Sequence, residues 1–175
     1  MTRPYYRTIL ADPPWNERGG GKVKRGADRH YPLLRTAEII EVMQAQLAAR
    51  DIAPDAHLYL WVTNNYLPDG LRVMEALGFT YKTNIVWAKH RAGLGQYFRG
   101  KHELCLFGIR GSGYEVRTDT RSLSTLLGEG ILPRGRHSAK PPEMHALVEE
   151  RSFGPYLELF AREPREGWSV WGNEV

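Results

Sequence analysis

An apolar stretch, Thr8-Ile9-Leu10-Ala11, runs straight into Asp12-Pro13-Pro14-Trp15, and that junction constrains the fold more than any other feature of the chain. Two consecutive prolines fix two φ angles near about −65° and donate no N–H. Pro13 also biases Asp12 away from helix and toward an extended conformation. The junction therefore reads as a stiff tip at the carboxyl end of a strand, carrying a carboxylate, exposed carbonyl oxygens and a large aromatic face. A planar base with an exocyclic amine needs those things: two acceptors for its two N–H bonds and a surface to stack on. The plainer alternative is a strand-ending turn whose Trp merely packs.

Beyond this tip, strand-like and helix-like patterns alternate. Arg7 to Ala11 reads as a strand, and Gly19-Gly20-Gly21 through Arg29 as a mobile, glycine-rich basic loop. Thr36 is expected to cap a helix to about Ala49, with Ile39, Ile40, Met43 and Leu47 on one face. His57 to Thr63 is a strand, and Pro68 to Leu77 a helix stopped by Gly78. Strands follow at about Tyr81 to Ala88 and Glu103 to Ile109, with a turn at Ser112-Gly113 into a short strand around Tyr114 to Arg117. Ser122 to Arg136 is expected to be irregular. Pro141 and Pro142 suit the opening of a helix to about Arg151, and Tyr156 to Ala161 makes another strand. The alternation predicts an α/β sandwich with a mostly parallel sheet, within one domain spanning residues 1–175. Ligands of open α/β sheets bind outside the carboxyl ends of the strands. Asp12 to Trp15, Thr63 to Asn65 and Arg162 to Glu163 thus fall on one rim.

Composition removes several classes. No stretch approaches the roughly 20 apolar residues of a membrane span, and the first residues lack the apolar core of a secretory signal, so a cytoplasmic protein is expected. The single cysteine, Cys105, rules out an internal disulfide framework and reads as a buried, inert thiol. Net charge is +4, with basic residues gathered in three places. These are Arg18, Lys22, Lys24, Arg25, Arg29 and Arg35; then Lys89, His90, Arg91, Arg99 and Lys101; then Arg134, Arg136, His137 and Lys140. Such groups are commonly solvated loops, and they equally suit contact with phosphate. Gly19-Gly20-Gly21-Lys22 is not a phosphate loop, because Val23 replaces the required hydroxyl residue and the glycine spacing is wrong. The histidines show no metal-ligand spacing, and no metal site is expected.

Short blocks after the tip complete the pattern: Tyr31-Pro32, Leu58-Tyr59-Leu60-Trp61-Val62-Thr63, Gly78-Phe79, Ile85-Val86-Trp87-Ala88-Lys89, and Gly100-Lys101-His102-Glu103 leading into Leu104-Cys105-Leu106-Phe107-Gly108. Next come His137-Ser138-Ala139-Lys140-Pro141, Leu157-Glu158-Leu159-Phe160-Ala161-Arg162 and Gly172-Asn173-Glu174. In content and order, from about Ile9 to Glu174, the chain resembles the MT-A70 family of S-adenosylmethionine-dependent adenine-N6 methyltransferases.

The resemblance implies a Rossmann-like sandwich with a circularly permuted motif order, the catalytic motif N-terminal and the cofactor strand C-terminal. It implies methyl transfer from S-adenosylmethionine to the N6 amine of adenine in DNA or RNA. The compact chain, which looks like the small bacterial or phage-type members, favours DNA. Asp12 and the carbonyl of Pro13 or Pro14 would hold the amine, and Trp15 would stack on the base. Tyr31 and Glu103 match positions near the acceptor, and Lys22, Lys24, Arg25 and Arg99 would meet nucleic acid. Lys140 would meet the methionine carboxylate of the cofactor, with Arg162, Asn173 and Glu174 on its ribose and adenine and Asp12 at its methyl. The block Leu159-Phe160-Ala161-Arg162 lacks the glycines that many methyltransferases place after the cofactor strand. A homodimer or second subunit fits the resemblance. The runner-up is a non-catalytic, nucleic-acid-binding partner subunit, against which the retained Asp12-Pro13-Pro14-Trp15, Lys140 and Asn173 stand.

Overall fold

In chain order the elements are β1 (Tyr6–Ala11), α1 (Thr36–Ala48), β2 (Ile52–Val62), α2 (Leu67–Ala76), β3 (Thr80–Ala88), β4 (His102–Arg110), β5 (Leu126–Leu127), α3 (Glu143–Arg151), β6 (Tyr156–Leu159) and β7 (Trp168–Trp171). A 3-10 turn at Asn64–Tyr66 joins β2 to α2. This computed structural model describes residues 5–16, 33–93, 95–113, 115–117, 123–128 and 139–175. Among them the strands form one sheet in the order β5-β3-β4-β2-β1-β6-β7. β1 runs parallel to both its neighbours, β2 and β6, and β6 parallel to β7. β4 is antiparallel to both β2 and β3, while β5 is parallel to β3, so β4 alone is reversed. The reversal follows from the β3–β4 connection, which has no helix to carry the chain back along the sheet.

Successive side chains on a strand point to opposite faces, and the packing divides accordingly. Ile9 and Ala11 of β1, Leu58, Leu60 and Val62 of β2, Leu104 and Leu106 of β4 and Leu157 and Leu159 of β6 form one core. Ile39, Met43 and Leu47 of α1 and Val73 and Met74 of α2 close it. Leu10, Tyr59, Trp61, Ile85 and Cys105 face the other way, against Met144 and Val148 of α3 and Trp168. The result is an α/β sandwich of three layers with a mostly parallel sheet, as the alternation predicted. Strands apolar on both faces must be covered on both.

Several expectations need correction. Arg35, not Thr36, occupies the N-cap of α1. Arginine has no side-chain acceptor, so Glu38 reaches back to take the Arg35 N–H at 2.6 Å, and Thr36 instead donates to Asp69 of α2 at 2.9 Å. Residues 115–117 form no strand. The segment expected to be irregular contributes β5, held by its register on Val86 and Trp87. The stretch after Gly167 adds an edge strand, β7, to the elements expected, and β2 begins earlier than its apolar run suggested. Gly78 ends α2 as expected, with φ at 82°.

Under the α3 layer, Tyr59, Ser152 and His57 form a one-way chain of hydrogen bonds. His57 Nε2 lies 2.6 Å from the carbonyl oxygen of Gly113, which only accepts, so Nε2 carries the proton. His57 Nδ1 is then an acceptor, Ser152 Oγ donates to it at 2.7 Å, and Tyr59 donates to Ser152 at 2.7 Å. Burial, with the positive charges of Arg7 and Arg151, holds His57 below its ordinary pKa despite the pull of the Gly113 bond.

Candidate active site

Strand parity already selects the members of the site. Asp12 continues β1 on the side of Leu10. Trp61 of β2, Glu103 of β4 (in step with Cys105) and Trp87 of β3 (in step with Ile85) share that α3 face at the rim. Trp87 pairs with Glu103, and Trp61 with Cys105. Lys140 enters from the loop before α3, just ahead of Pro142 at the helix N-cap.

These side chains form a row of alternating charge. Lys140 Nζ lies 3.0 Å from Asp12 Oδ2 and 3.7 Å from Glu103 Oε1, and Lys89 Nζ lies 2.9 Å from Glu103 Oε2. Two carboxylates and two ammonium groups leave the row without net charge. Beneath it, Lys140 stands 5.5 Å from the Trp61 ring centre and Lys89 5.1 Å from that of Trp87. The two indoles meet edge to face at 6.1 Å. Each ammonium thus rests on a π face as well as a carboxylate, which fixes its position. The side chains of Asp12, Lys140 and Glu103 are 25, 14 and 12 % exposed.

Burial raises Asp12 above the ordinary carboxylate value, with Glu103 adding to the effect and Lys140 and Arg162 opposing it. Burial also pushes Glu103 up, but Lys140 and Lys89 together outweigh it and leave Glu103 below its ordinary value. Of the two neighbouring acids, Asp12 is the one that takes up a proton more readily. Oδ2 receives the lysine; Oδ1 has no hydrogen-bond partner among the described residues. Cys105 is fully buried and its thiol is pushed well above its ordinary value, so it is the inert core residue expected.

The backbone of the tip is held from both sides. The Pro13 carbonyl accepts the Trp15 N–H at 2.9 Å, and the Pro14 carbonyl accepts the Leu34 N–H at 2.8 Å. Each carbonyl oxygen keeps a second lone pair. Trp15 differs from expectation. It is 5 % exposed, packs at 5.6 Å against Tyr66, and donates its indole N–H to the Trp61 carbonyl at 2.9 Å. A ring enclosed in the core has no face to offer a base, so in this structure Trp15 bolts the end of β1 to the end of β2.

The other expected residues divide. Arg162 follows β6 on the same rim, near enough to Asp12 to draw its pKa down. Asn173 and Glu174 follow β7, two strands from β1, or roughly 10 Å at ordinary strand spacing. Arg99 lies apart from the charge row, its guanidinium on the carbonyls of Gly93 and Ala92. Tyr31, Lys22, Lys24, Arg25 and His137 fall outside the described residues. Reading the blocks singly gave no role to Trp61 or Trp87 and placed Lys89 only in a basic group suited to phosphate. Period-2 parity carried across neighbouring strands was the signal that finds the two indoles.

Fold and rim together define an α/β enzyme whose polar site lies at the carboxyl end of an interior strand, β1. Residues 6–174 match the MT-A70 family model, and the chain belongs to that family. The Type II methyltransferase M.MunI of Mycoplasma sp is 29 % identical over 199 residues, covering 100 % of this chain and 80 % of that protein. The human N(6)-adenine-specific methyltransferase METTL4 is 29 % identical over 192 residues, 99 % of this chain and 38 % of that protein. The human N(6)-adenosine-methyltransferase catalytic subunit METTL3 is 25 % identical over 184 residues, 97 % of this chain and 28 % of that protein. The chain thus spans most of the mycoplasma protein but well under half of either human one. Among the described residues no group of His, Cys, Asp and Glu could hold a metal ion, and no helix is long and apolar enough to cross a membrane.

Proposed function

We propose that this chain is an adenine-N6 methyltransferase that acts on nucleic acid with S-adenosylmethionine as methyl donor. The carrying observation is Asp12, a carboxylate on a proline-stiffened tip with one oxygen tied to Lys140 and the other without a partner among the described residues. An adenine amine is a weak nucleophile because its lone pair is delocalised into the ring. Asp12 Oδ1 accepts one amine N–H, and the second lone pair of Pro13 or Pro14 accepts the other. The nitrogen is thereby aimed rather than left to tumble. Lys140 keeps Asp12 charged, and Lys89 keeps Glu103 charged without drawing on Lys140 alone. As the new N–C bond forms and the methyl's bond to sulfur breaks, its electron pair staying on what would be a neutral thioether, the nitrogen would become positive and shed a proton, for which Asp12, with its raised affinity, is the adjacent acceptor.

The carboxyl ends of β6 and β7 suit the donor molecule, which when bound supplies a methyl on a positively charged sulfur. They offer a guanidinium at Arg162, an amide at Asn173 and a carboxylate at Glu174. Phe160 takes the left-handed backbone at φ 62° where other methyltransferases use glycine, and Arg165 Nε is buried without a hydrogen-bond partner among the described residues. Strain of this kind gathers at functional sites. On this reading the cofactor strand is C-terminal and the catalytic tip N-terminal, the permuted order, with the two strands side by side. Nucleic acid is the macromolecular partner, with a second copy or second subunit completing target recognition.

The test is methyl transfer from labelled cofactor to double-stranded DNA, single-stranded DNA and RNA, with DNA tried first, followed by nucleoside identification. Label on the adenine amine is the expected product. Cofactor calorimetry on Asn173→Ala and Arg162→Ala tests the donor end, where affinity should fall roughly tenfold through lost hydrogen bonds. Cofactor binding without transfer to any substrate would instead mark the chain as a non-catalytic partner subunit.

A further inference from the structure

The β3–β4 connection displays the two most exposed large aromatic side chains among the described residues, Tyr97 at 103 % and Phe98 at 86 %. Adjacent rings turned wholly into water are unfavourable unless something covers them. The backbone agrees, since Tyr97 holds φ at 59° in the left-handed region, a strained setting for a residue with a side chain.

The loop is nonetheless a built object. The Lys89 N–H donates to the Lys101 carbonyl at 2.8 Å, and the Gly93 N–H to the Gly100 carbonyl at 2.7 Å. Arg99 ties the limbs together through the carbonyls of Gly93 (3.4 Å) and Ala92 (3.3 Å), and the Phe98 N–H closes a tight turn on the Gln96 carbonyl at 2.6 Å. Gly95 makes that turn possible, because a Cβ there would collide with the Phe98 carbonyl. Charge completes the description. The segment 89–102 contains Lys89, His90, Arg91, Arg99, Lys101 and His102 and no acidic residue. Its roots are the site itself, since Lys89 pairs with Glu103 and Ala88 lies opposite His102 in the ladder.

We propose that Tyr97 and Phe98 form a base-stacking tip that holds nucleotides flanking the acceptor adenine. Single-stranded nucleic acid is bound by this combination: cations along the backbone and aromatic faces against the bases. A duplex must also yield its adenine from the stack before the amine is accessible, and the vacated neighbours need a surface. A contact that paired this loop with its own copy fits less well, because two all-basic loops would meet. The inference rests on nucleic acid being the substrate.

The experiment compares a labelled single-stranded oligodeoxyadenylate with an abasic oligomer of the same length and charge. Each is titrated over a range of salt with wild type and with Tyr97→Ala/Phe98→Ala. Wild type should prefer the oligomer with bases, and the double variant should lose that preference, its Kd for oligodeoxyadenylate rising roughly tenfold. Binding to the abasic oligomer and the salt slope should stay as in wild type, because no charge has been removed. Tyr97→Phe/Phe98→Tyr should retain wild-type binding. Equal affinity of wild type for both oligomers overturns the proposal, as does an equal loss on both in the variant. In the second case, a changed sedimentation coefficient would make the loop an interface between copies. Methyl transfer with no base-dependent binding through these residues removes the stacking tip and leaves the enzyme. Base-dependent binding with no transfer does the reverse.

Discussion

Lys140 and Asp12 meet at 3.0 Å although 128 positions separate them in the chain. The contact exists because β1 ends inside the sheet and Lys140, just before α3, lies over the same face. It places the lysine between Asp12 and Glu103 in the charge row beside the acceptor tip, and the Lys140→Met variant below tests its contact with the cofactor.

The first prediction concerns charge at Asp12. Its folded pKa is raised, so between the ordinary value of 3.8 and the raised one the folded chain holds a proton that the unfolded chain has released. Stability from this group is therefore full at low pH and declines as pH rises through that window. At neutral pH the charged form is a stability cost kept for function. Asp12→Asn should melt no lower than wild type while transfer falls by about 100-fold or more. Near-normal turnover in this variant sinks the amine-binding role.

Lys140→Met tests the two accounts of that lysine. Without the cation, Asp12 loses its ion-pair partner while Glu103 keeps Lys89, and the folded protein should lose about 3 kcal/mol in denaturant titration. Asp12 should protonate at higher pH, so the acid limb of kcat/KM should move upward. A large fall in cofactor affinity with an unmoved acid limb would return the lysine to the cofactor.

Trp15→Phe keeps a ring and deletes the N–H bonded to the Trp61 carbonyl. Stability should fall by about 1–2 kcal/mol, with the buried carbonyl left unpaired. The KM for nucleic acid should change little. A raised KM at unchanged stability would show that the indole reaches the base after all.

The His57 chain predicts a pH dependence of folding. His57 is held neutral below its ordinary value of 6.5, so under mild acid the unfolded chain takes up a proton that the folded chain refuses. Stability should be full above pH 6.5 and drop as pH falls from there toward the depressed folded value. His57→Gln should flatten that slope in denaturant titrations. An equal acid slope in both proteins would assign it to other groups.

The amino-acid sequence by itself determined the layered α/β class, the helix ended by Gly78, and the stiff acidic tip after β1. Each depends on neighbours along the chain: proline φ angles, apolar periods, a glycine in the left-handed region. Asp12, Glu103 and Lys140 were legible as individuals through the resemblance. Their joining into one row with Lys89 over Trp61 and Trp87 was not, because it depends on which strands lie side by side and in what register. Trp15 shows the same division. The tetrapeptide states that an aromatic ring follows the prolines, but only the position of β2 decides that the ring faces inward. The two-residue strand β5 exists only because Val86 and Trp87 offer it a partner. The Tyr59–Ser152–His57 chain likewise needs the end of α3 to arrive over β2. Local sterics act within a few residues and can be read from the sequence; burial, charge pairing and hydrogen-bond direction depend on neighbours that only the folded chain brings together.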